Sequence, residues 1–514
     1  MGMGRALAVA MVGLNGHIVE VEADIGQTLP NFILLGLPDA SLKESIDRIK
    51  AAAQNSGIPL SRRKITVNLV PASLPKRGSA FDLAIVMAAL EAAGDVRRTG
   101  RTVFLAELGL DGRLRPVRGV LPAVMAAVRA GHEEFVVAED NVREAELVPG
   151  ARVRGYLSLA QVAVDFDADT QDLVLDLPEP GVAAPAAETG EVRGPAPDMA
   201  DVAGQGEARL ALEIAAAGGH HLMMVGPPGA GKTMLAERLP GLLPDLQDAE
   251  AMEVTAIHSL DGSGPAVGQL IRRPPYEHPH HSASAVAIVG GGTGIPRPGA
   301  ASRAHRGVLF LDEAPEYDRR VLDALRQPLE SGELVLHRSA GTASYPARFQ
   351  LVLAANPCPC GKATGKGAEC TCTAMARRRY FDRLSGPLLD RVDIQLHVNR
   401  VSLAELSGAE PRESTHQVAA RVLAAKERQR ERLGRFGLAG NAEASGRLLR
   451  GVFRLPGADT ALLDRALDTG QLTARGYDRV LRLAWTIADL GGHDRPDRDD
   501  VGLALTMRQR GMGT

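Results

Sequence analysis

The sequence is poor in the residues that mark secreted or aromatic-rich proteins. Its 514 residues include four cysteines, and aromatic residues make up 3% of the chain, with one tryptophan. So few aromatics argue against large stacking platforms for single-stranded nucleic acid. Four cysteines in one short window do not form a disulfide framework. The net charge of -3 argues against a constitutively basic nucleic-acid binder but leaves room for local basic patches.

Long hydrophobic runs are also missing, since no apolar stretch approaches the ~18 residues that span a bilayer. Arg5 and the following ALAVAMVGL resemble a short signal peptide. The next residues, NGHIVEVEADI, contain no small-residue cleavage site and alternate like a strand. We therefore expect a cytoplasmic protein that does not contact membranes.

The order of apolar and polar segments predicts three domains and a linker. Residues 1–175 mix strand-like and helix-like runs, which predicts an α/β domain. Residues 176–198 contain five prolines and almost no large apolar residue, which is typical of a linker. Residues 199–400 alternate short apolar strands with helical segments, which predicts a parallel sheet with helices on both faces. Residues 401–514 are mostly helical, with a capping-box start at Ser414.

A phosphate-binding loop follows the first apolar strand of the second domain. Residues 226–233 read GPPGAGKT, the pattern G-x-x-x-x-G-K-T between a strand and a helix. Backbone N–H groups of such a loop surround phosphate oxygens, and glycine permits the close approach. Lys232 should reach the β- and γ-phosphates, and the Thr233 hydroxyl should ligate Mg²⁺. The expected nucleotide-binding residues of the loop are Gly226, Pro227, Pro228, Gly229, Ala230, Gly231, Lys232 and Thr233.

Two further apolar strands end in polar residues. The run GVLFLDE ends in Asp312 and Glu313, 80 residues beyond Lys232. The Asp312 carboxylate is predicted to point at the coordination shell of Mg²⁺, and Glu313 is placed to act as general base on the attacking water. The run FQLVLAANP ends in Asn356, at the strand edge where ligands bind in open α/β sheets. Asn356 should orient that water, with a plain Asn-Pro turn as the alternative.

These motifs, taken in order, resemble those of a known family. The set GPPGAGKT, GVLFLDE, AANPCPCG and SGPLLDRVDIQLHV resembles the magnesium-chelatase-like group of AAA+ ATPases. The segments DVAGQGEARLALEIAAAGGHHLMMVGPPGAGKT, HPHHSASAVAIVGGG and LTARGYDRVLRLAWTIADL are similar to the bacterial YifB/ComM family of competence-related proteins. The similarity runs from about residue 5 to residue 510. It implies an AAA+ core, a C-terminal helical lid, ATP and Mg²⁺ as cofactors, and a homohexameric ring.

The resemblance also assigns two arginines. Arg391 in GPLLDRVD matches the family's arginine finger, which is supplied to the γ-phosphate of the neighbouring subunit. Arg475 in TARGYDR matches the sensor-2 arginine, which contacts the nucleotide of its own subunit. Both would neutralise charge that spreads over phosphate oxygens.

The N-terminal domain resembles a second family. Its segment NLVPASLPKRGSAFDLAIVMAAL is similar to the proteolytic domain of Lon-type proteases, which use a Ser nucleophile activated by a Lys. When the glycines are aligned at Gly78, the nucleophile position falls on Ala80, and Ser79 is one residue away. We therefore expect a Lon-protease-like α/β fold with a structural or DNA-contacting role and no proteolysis.

Basic and histidine-rich loops flank Asp312. The insertion between the phosphate loop and Asp312 is predicted to contact a phosphate backbone, with a solvated loop as the alternative. A second cluster, Arg377–Arg379, either grips DNA, ties a neighbouring subunit or is a solvated face. The histidines are expected to form hydrogen bonds within the loop rather than to bind metal. The arginines of the insertion are Arg272, Arg273, Arg297, Arg303 and Arg306, its glycines are residues 290–292, and its histidines are His278, His280 and His281.

All the cysteines lie in one stretch, NPCPCGKATGKGAECTC. Cys358 and Cys360 form one C-x-C pair, and Cys370 and Cys372 form another nine residues later. Four thiolates can close a tetrahedral Zn²⁺ site, although C-x-C is tighter than the usual C-x₂₋₄-C spacing. Structural zinc, unliganded or disulfide-forming cysteines, and redox sensing all remain open.

The resemblance to the YifB/ComM family implies Mg²⁺-dependent ATP hydrolysis by a ring that moves DNA, as a helicase promoting branch migration during recombination of incoming DNA. The alternative is a chelatase-type motor that remodels a metal-insertion partner. The fused N-terminal domain and the cysteine stretch resemble the ComM-like pattern and not the chelatase subunit, which favours the first. Ala80 disfavours an active Lon-type Ser-Lys protease.

Overall fold

The computed structural model describes most of the chain in three consecutive groups of elements. The described residues are 2–27, 29–36, 40–60, 64–74, 76, 78–175, 196–262, 268–292, 296–338, 341–363, 370–407 and 412–509. The expected linker, 176–198, lies outside them up to residue 195. Among the described helices, none is both long enough and apolar enough to cross a bilayer.

The first group is a mixed sheet with helices on both faces. Its seven main strands run in the order β3-β4-β2-β1-β5-β8-β9, and β1 and β2 alternate along their length between the two faces. Ala6, Ala8 and Ala10 face the core around α2, whereas Leu7 and Val9 face the core around α3. The elements are β1 Gly4–Val12, β2 Asn15–Gly26, β3 Phe32–Leu35, α1 Ala40–Asn55, β4 Lys64–Val70, α2 Asp82–Ala93, β5 Val103–Leu105, β6 Glu107–Leu108, β7 Leu114–Arg115, α3 Val120–Arg129, β8 Glu134–Ala138, α4 Val142–Ala145, β9 Arg152–Tyr156 and α5 Leu159–Asp165.

The second group contains a five-stranded parallel sheet in the order β11-β14-β17-β10-β18. Strands β10, β14 and β17 are buried along their whole length, which explains their continuous apolar runs. The expected α/β class with a parallel sheet is confirmed. The elements are α6 Gly206–Gly218, β10 Leu222–Val225, α7 Lys232–Leu242, α8 Asp248–Asp261, β11 Tyr276–Glu277, α9 Ala285–Val289, β12 Gly290–Gly291, β13 Arg297–Pro298, α10 Ala300–Arg303, β14 Val308–Leu311, α11 Arg319–Ala324, α12 Arg326–Ser331, β15 Glu333–Arg338, β16 Gly341–Pro346, β17 Gln350–Ala355, α13 Ala374–Phe381, α14 Gly386–Leu389 and β18 Ile394–His397.

The third group is helical and shares a core with one face of that sheet. Val422 of α16 and Leu483 of α19 belong to the same buried cluster as Leu222 and Met224 of β10. The capping box expected at Ser414 is present, because its hydroxyl accepts from the backbone N–H of Gln417. The helices are α15 Leu403–Ser407, α16 Thr415–Leu433, α17 Gly446–Arg450, α18 Gly457–Asp468, α19 Ala474–Gly491 and α20 Arg498–Gln509.

The N-terminal sheet docks on the second group through α8. Ala256 of α8 belongs to the buried cluster that α3 forms with β1 and β5. The Ser259 hydroxyl donates to the Glu144 carboxylate, and Arg118 Nη1 lies 3.4 Å from the Asp261 carbonyl oxygen. The docking surface is therefore partly apolar and partly hydrogen-bonded.

A buried carboxylate ties the helical group to the sheet. Asp393 accepts from Arg479 Nη1 at 2.5 Å and contacts His220 Nδ1 at 3.3 Å, and His220 Nε2 in turn contacts the Thr486 hydroxyl at 2.7 Å. Burial alone would raise the pKa of Asp393, but Arg479 and His220 outweigh it and hold that pKa well below its usual range.

Replacing Asp393 with Asn should destabilise the chain by about 3–5 kcal/mol, because Arg479 would lose its partner inside the protein. The folded-state pKa lies below the unfolded value of about 3.9, so the stabilisation is present at neutral pH and is lost as the pH falls below about 4. Thermal unfolding of D393N at several pH values measures both effects. D382N, at an exposed aspartate, is the control, and equal unfolding temperatures for the two variants would contradict the assignment.

Candidate nucleotide-binding site

The phosphate loop connects β10 to α7 by a backbone that needs glycine. Gly229 and Gly231 have φ of +77° and +86°, in the left-handed region, and Gly231 caps α7. A Cβ at Gly226 would lie 2.2 Å from the Val398 carbonyl oxygen, so this position also has no room for a side chain. The loop is thus held in a shape that presents its N–H groups and the start of α7.

Lys232 lies inside this loop. Its Nζ donates to the carbonyl oxygens of Gly226 and Pro227 at 2.6 and 3.1 Å, and to Asn356 Oδ1 at 3.2 Å. Burial lowers the pKa of Lys232, and the charges of Asp312 and Glu313 oppose that shift. The lysine is a poorly solvated cation hydrogen-bonded to neutral oxygens, which favours binding of an anion.

The Thr233 hydroxyl donates to Asp312 Oδ2 at 2.8 Å. Asp312 directly follows β14, and its other oxygen accepts from the Glu313 backbone N–H at 2.8 Å. A hydroxyl and a carboxylate at this separation are the hard oxygen donors that Mg²⁺ prefers. These two residues therefore fit the magnesium ion that the phosphate loop implies.

Glu313 has an uncommon backbone and an unexpected partner. Its φ of +50° lies in the left-handed region, where a non-glycine residue often marks a functional site. His281 Nδ1 lies 3.2 Å from Glu313 Oε2. Sequence reasoning treated His281 as an ordinary loop residue and did not predict this contact.

Two other residues near the loop were not expected. Gln205 Nε2 donates to the Ala230 carbonyl oxygen at 2.6 Å, and its Oε1 is buried without a partner among the described residues. The buried hydroxyl of Tyr380 is hydrogen-bonded to the backbone of Asn356. Gln205 lies in a segment that resembles the YifB/ComM family, but the resemblance assigned it no role. Both residues reach the site through tertiary packing.

Arg391 lies away from the phosphate loop of its own chain, and Arg475 lies near Arg391. Strand β18 runs parallel to β10 with Ile394 beside Leu222, so Arg391 is at the amino edge of the sheet and the loop is at the carboxyl edge. Arg391 donates to the Pro387 carbonyl oxygen and pairs with Glu330. Burial lowers the pKa of Arg391, and so do the charges of Arg326, Arg479 and Arg475. The two assigned arginines are therefore neighbours in a basic cluster.

The remaining candidate residues occupy several environments. Arg303 forms an ion pair with Glu277, and Arg306 forms one with Glu250, both within the second group of elements. Among the described residues, metal-ligand atoms gather in two places, and neither of them includes a loop histidine. These groups are Cys358, Cys360, Cys370 and Cys372, and His493, Asp497 and Asp500. Arg273, Arg297 and Arg377–Arg379 are exposed.

Comparison with known proteins matches this chain to one family over most of its length. Residues 198–406 match the family described as magnesium chelatase, subunit ChlI, with further ChlI matches over 21–141 and 412–508. The chain is 40% identical over 514 residues to competence protein ComM of Haemophilus influenzae, covering 99% of this chain and 98% of that protein. It is 40% identical over 502 residues to YifB of Escherichia coli, covering 97% and 96%.

The chain belongs to the magnesium-chelatase-like YifB/ComM family. It is also 51% identical over 513 residues, 99% of each chain, to an uncharacterised protein of Mycobacterium tuberculosis. Membership in the YifB/ComM family supports an AAA+ ATPase, in agreement with the expectation from the sequence.

Replacing Lys232 with Ala in this YifB/ComM protein should lower ATP hydrolysis by roughly 10²–10³-fold, because a buried cation facing the phosphates is lost. Binding of a fluorescent ATP analogue should weaken as well, and phosphate release measures the rate. K50A, which removes an exposed lysine of the N-terminal domain, should match the unmodified protein. Unchanged binding and hydrolysis in K232A would contradict the assignment of the site.

Proposed function

We propose that this chain is a Mg²⁺-dependent ATPase that works as a ring on DNA. The observation that carries the ATPase part is the convergence of Lys232, Thr233, Asp312 and Asn356 at one edge of the parallel sheet. ATP is the substrate, and Mg²⁺ supplies charge neutralisation at its phosphates.

Each residue has a role in this mechanism. Lys232 would exchange its carbonyl partners for β- and γ-phosphate oxygens, and Thr233 and Asp312 would hold the magnesium ion. Glu313 accepts a proton from the attacking water, and Asn356 orients that water. His281, in contact with Glu313, holds the Glu313 carboxylate before ATP binds.

The arginine cluster supports assembly into a ring. Arg391 and Arg475 lie near each other at the sheet edge opposite to the phosphate loop. In a head-to-tail ring the amino edge of one subunit can face the carboxyl edge of the next. We propose that both arginines reach the same γ-phosphate of the neighbour, which changes the expected role of Arg475 from its own nucleotide to the adjacent one. The assembly proposed is a homohexamer.

DNA is the proposed substrate of the motor, and branch migration during recombination of incoming DNA is the proposed activity. The name of the relative ComM, a competence protein, points in this direction. So do exposed arginines that have no ion-pair partner among the described residues, because such groups can bind a phosphate backbone. They are Arg273, Arg297, Arg377, Arg378 and Arg379. A motor of this kind would act in the cytoplasm.

The chelatase-type motor is the second candidate, favoured by the ChlI matches. An active protease is disfavoured by local contacts in the N-terminal domain. The Ser79 hydroxyl donates to the Glu107 carboxylate, and Lys76 Nζ donates to the Pro71 carbonyl oxygen, so these two side chains do not form a dyad. We propose a Lon-like fold with a structural or DNA-contacting role for this domain.

ATP hydrolysis and branch migration on forked DNA test the proposed function. Single-stranded or forked DNA should accelerate ATP turnover, and the protein should move a labelled junction in an ATP-dependent manner. E313Q should still bind ATP and DNA but should neither hydrolyse ATP nor move the junction, because the attacking water loses its base. Binding to DNA should weaken steeply with added salt.

E431Q, at an exposed glutamate of α16, is the matched control and should keep full activity. ATP turnover that ignores all DNA forms, together with an unmoved junction, would contradict the DNA motor. Stimulation by a tetrapyrrole-binding partner in place of DNA would establish the chelatase-type motor.

A further inference from the structure

The four cysteine sulfurs lie together beside the nucleotide site. Cys358 Sγ is 3.3 Å from Cys360 Sγ, and Cys370 Sγ is 3.7 Å from each of these two sulfurs. All four sulfurs, including that of Cys372, lie within 4.8 Å of one another. The two C-x-C pairs therefore face each other across a single small volume.

These separations distinguish a metal site from a disulfide. A disulfide bond has an S–S length of about 2.05 Å, and all four cysteines are free. A tetrahedral zinc ion with Zn–S bonds of about 2.3 Å places its sulfurs about 3.8 Å apart. The observed separations of 3.3 and 3.7 Å are close to that edge length. Thiols donate and accept hydrogen bonds weakly, so their own hydrogen bonds give little reason for four of them to gather.

We propose that Cys358, Cys360, Cys370 and Cys372 bind one Zn²⁺ through four thiolates. Four protein ligands leave no open position, so the ion has a structural role and does not carry out catalysis. The first pair comes from the turn after β17, and the second pair comes directly before α13. The ion would therefore join the strand that precedes Asn356 to the helix that carries Tyr380.

The position of this site connects it to ATP binding. Asn356, which accepts from Lys232, is two residues before Cys358. Gly361 follows Cys360 with a φ of +73°, and a Cβ placed there would lie 2.8 Å from the Pro228 ring in the phosphate loop. Zinc would hold this turn against the phosphate loop and so affect ATP binding. That effect on ATP binding rests on the proposed ATPase function, whereas zinc binding itself does not.

The test uses the full chain, purified without chelators. Metal analysis should find one zinc per chain, and the four thiols should react slowly with a thiol reagent until the zinc is removed. Replacing zinc with Co²⁺ should produce the strong visible absorption and the thiolate-to-cobalt charge-transfer band of a tetrahedral tetrathiolate site. These readouts do not involve ATP hydrolysis, so failure of the zinc site is distinguishable from failure of the ATPase.

Variants show which side chains hold the metal. The double variant Cys360→Ser with Cys372→Ser should lose stoichiometric zinc and the cobalt absorption, and its KM for ATP should rise more than its kcat falls. Thr371→Ser, which changes an exposed residue between two of the cysteines, should keep one zinc. A wild-type chain that takes up no zinc after reconstitution and whose four thiols react at one fast rate would overturn the proposal. So would a double variant that retains zinc.

Discussion

The parallel register of β10 with its two neighbours is the constraint on which the site depends. Val225 pairs with Ala355 of β17, which places Asn356 next to Gly226 and within reach of Lys232. On its other side, β10 pairs with β18, which begins three residues after Arg391. A single strand alignment therefore produces a phosphate-binding face at one edge and an arginine face at the other. In the proposed ring, the arginine face of one chain would meet the phosphate-binding face of the next.

Each face contains a buried cation, Lys232 on one and Arg391 on the other. Burial lowers the pKa of Lys232 and also that of Arg391, and Arg391 is further affected by three other arginines. Each cation would be stabilised by an anion such as a nucleotide phosphate. The cost of burying Lys232 would therefore favour binding of a nucleotide. In the proposed ring, the cost of burying Arg391 would favour contact with the nucleotide of the neighbouring subunit. Asp393 keeps the arginine side in place, since it binds Arg479, whose Nη1 also donates to the Arg391 carbonyl oxygen.

Local patterns predicted the parts of the structure that depend on neighbouring residues in the chain. The apolar run of β10, the glycines at 229 and 231, and the Ser414 cap all have the expected local structure. Asp312 and Asn356 could be placed because the carboxyl ends of parallel strands meet at one edge. The His281–Glu313 contact and the position of Gln205 could not be predicted, because they join segments that are far apart in sequence. Arg475 was assigned by its motif, but its location depends on how α19 packs against the sheet.

Mixing two inactive variants tests most directly whether one subunit completes the site of the next. R391A retains Glu313 but lacks the arginine that would reach the neighbour's γ-phosphate. E313Q retains Arg391 but lacks its own base. When equal amounts of the two variants form mixed rings, about half of the subunits have an intact Glu313, and about half have an intact Arg391. About a quarter of the interfaces then combine an intact base with an intact arginine. ATP hydrolysis in the mixture should then recover toward a quarter of the wild-type rate. A mixture that forms rings but is no more active than either variant alone would contradict the account.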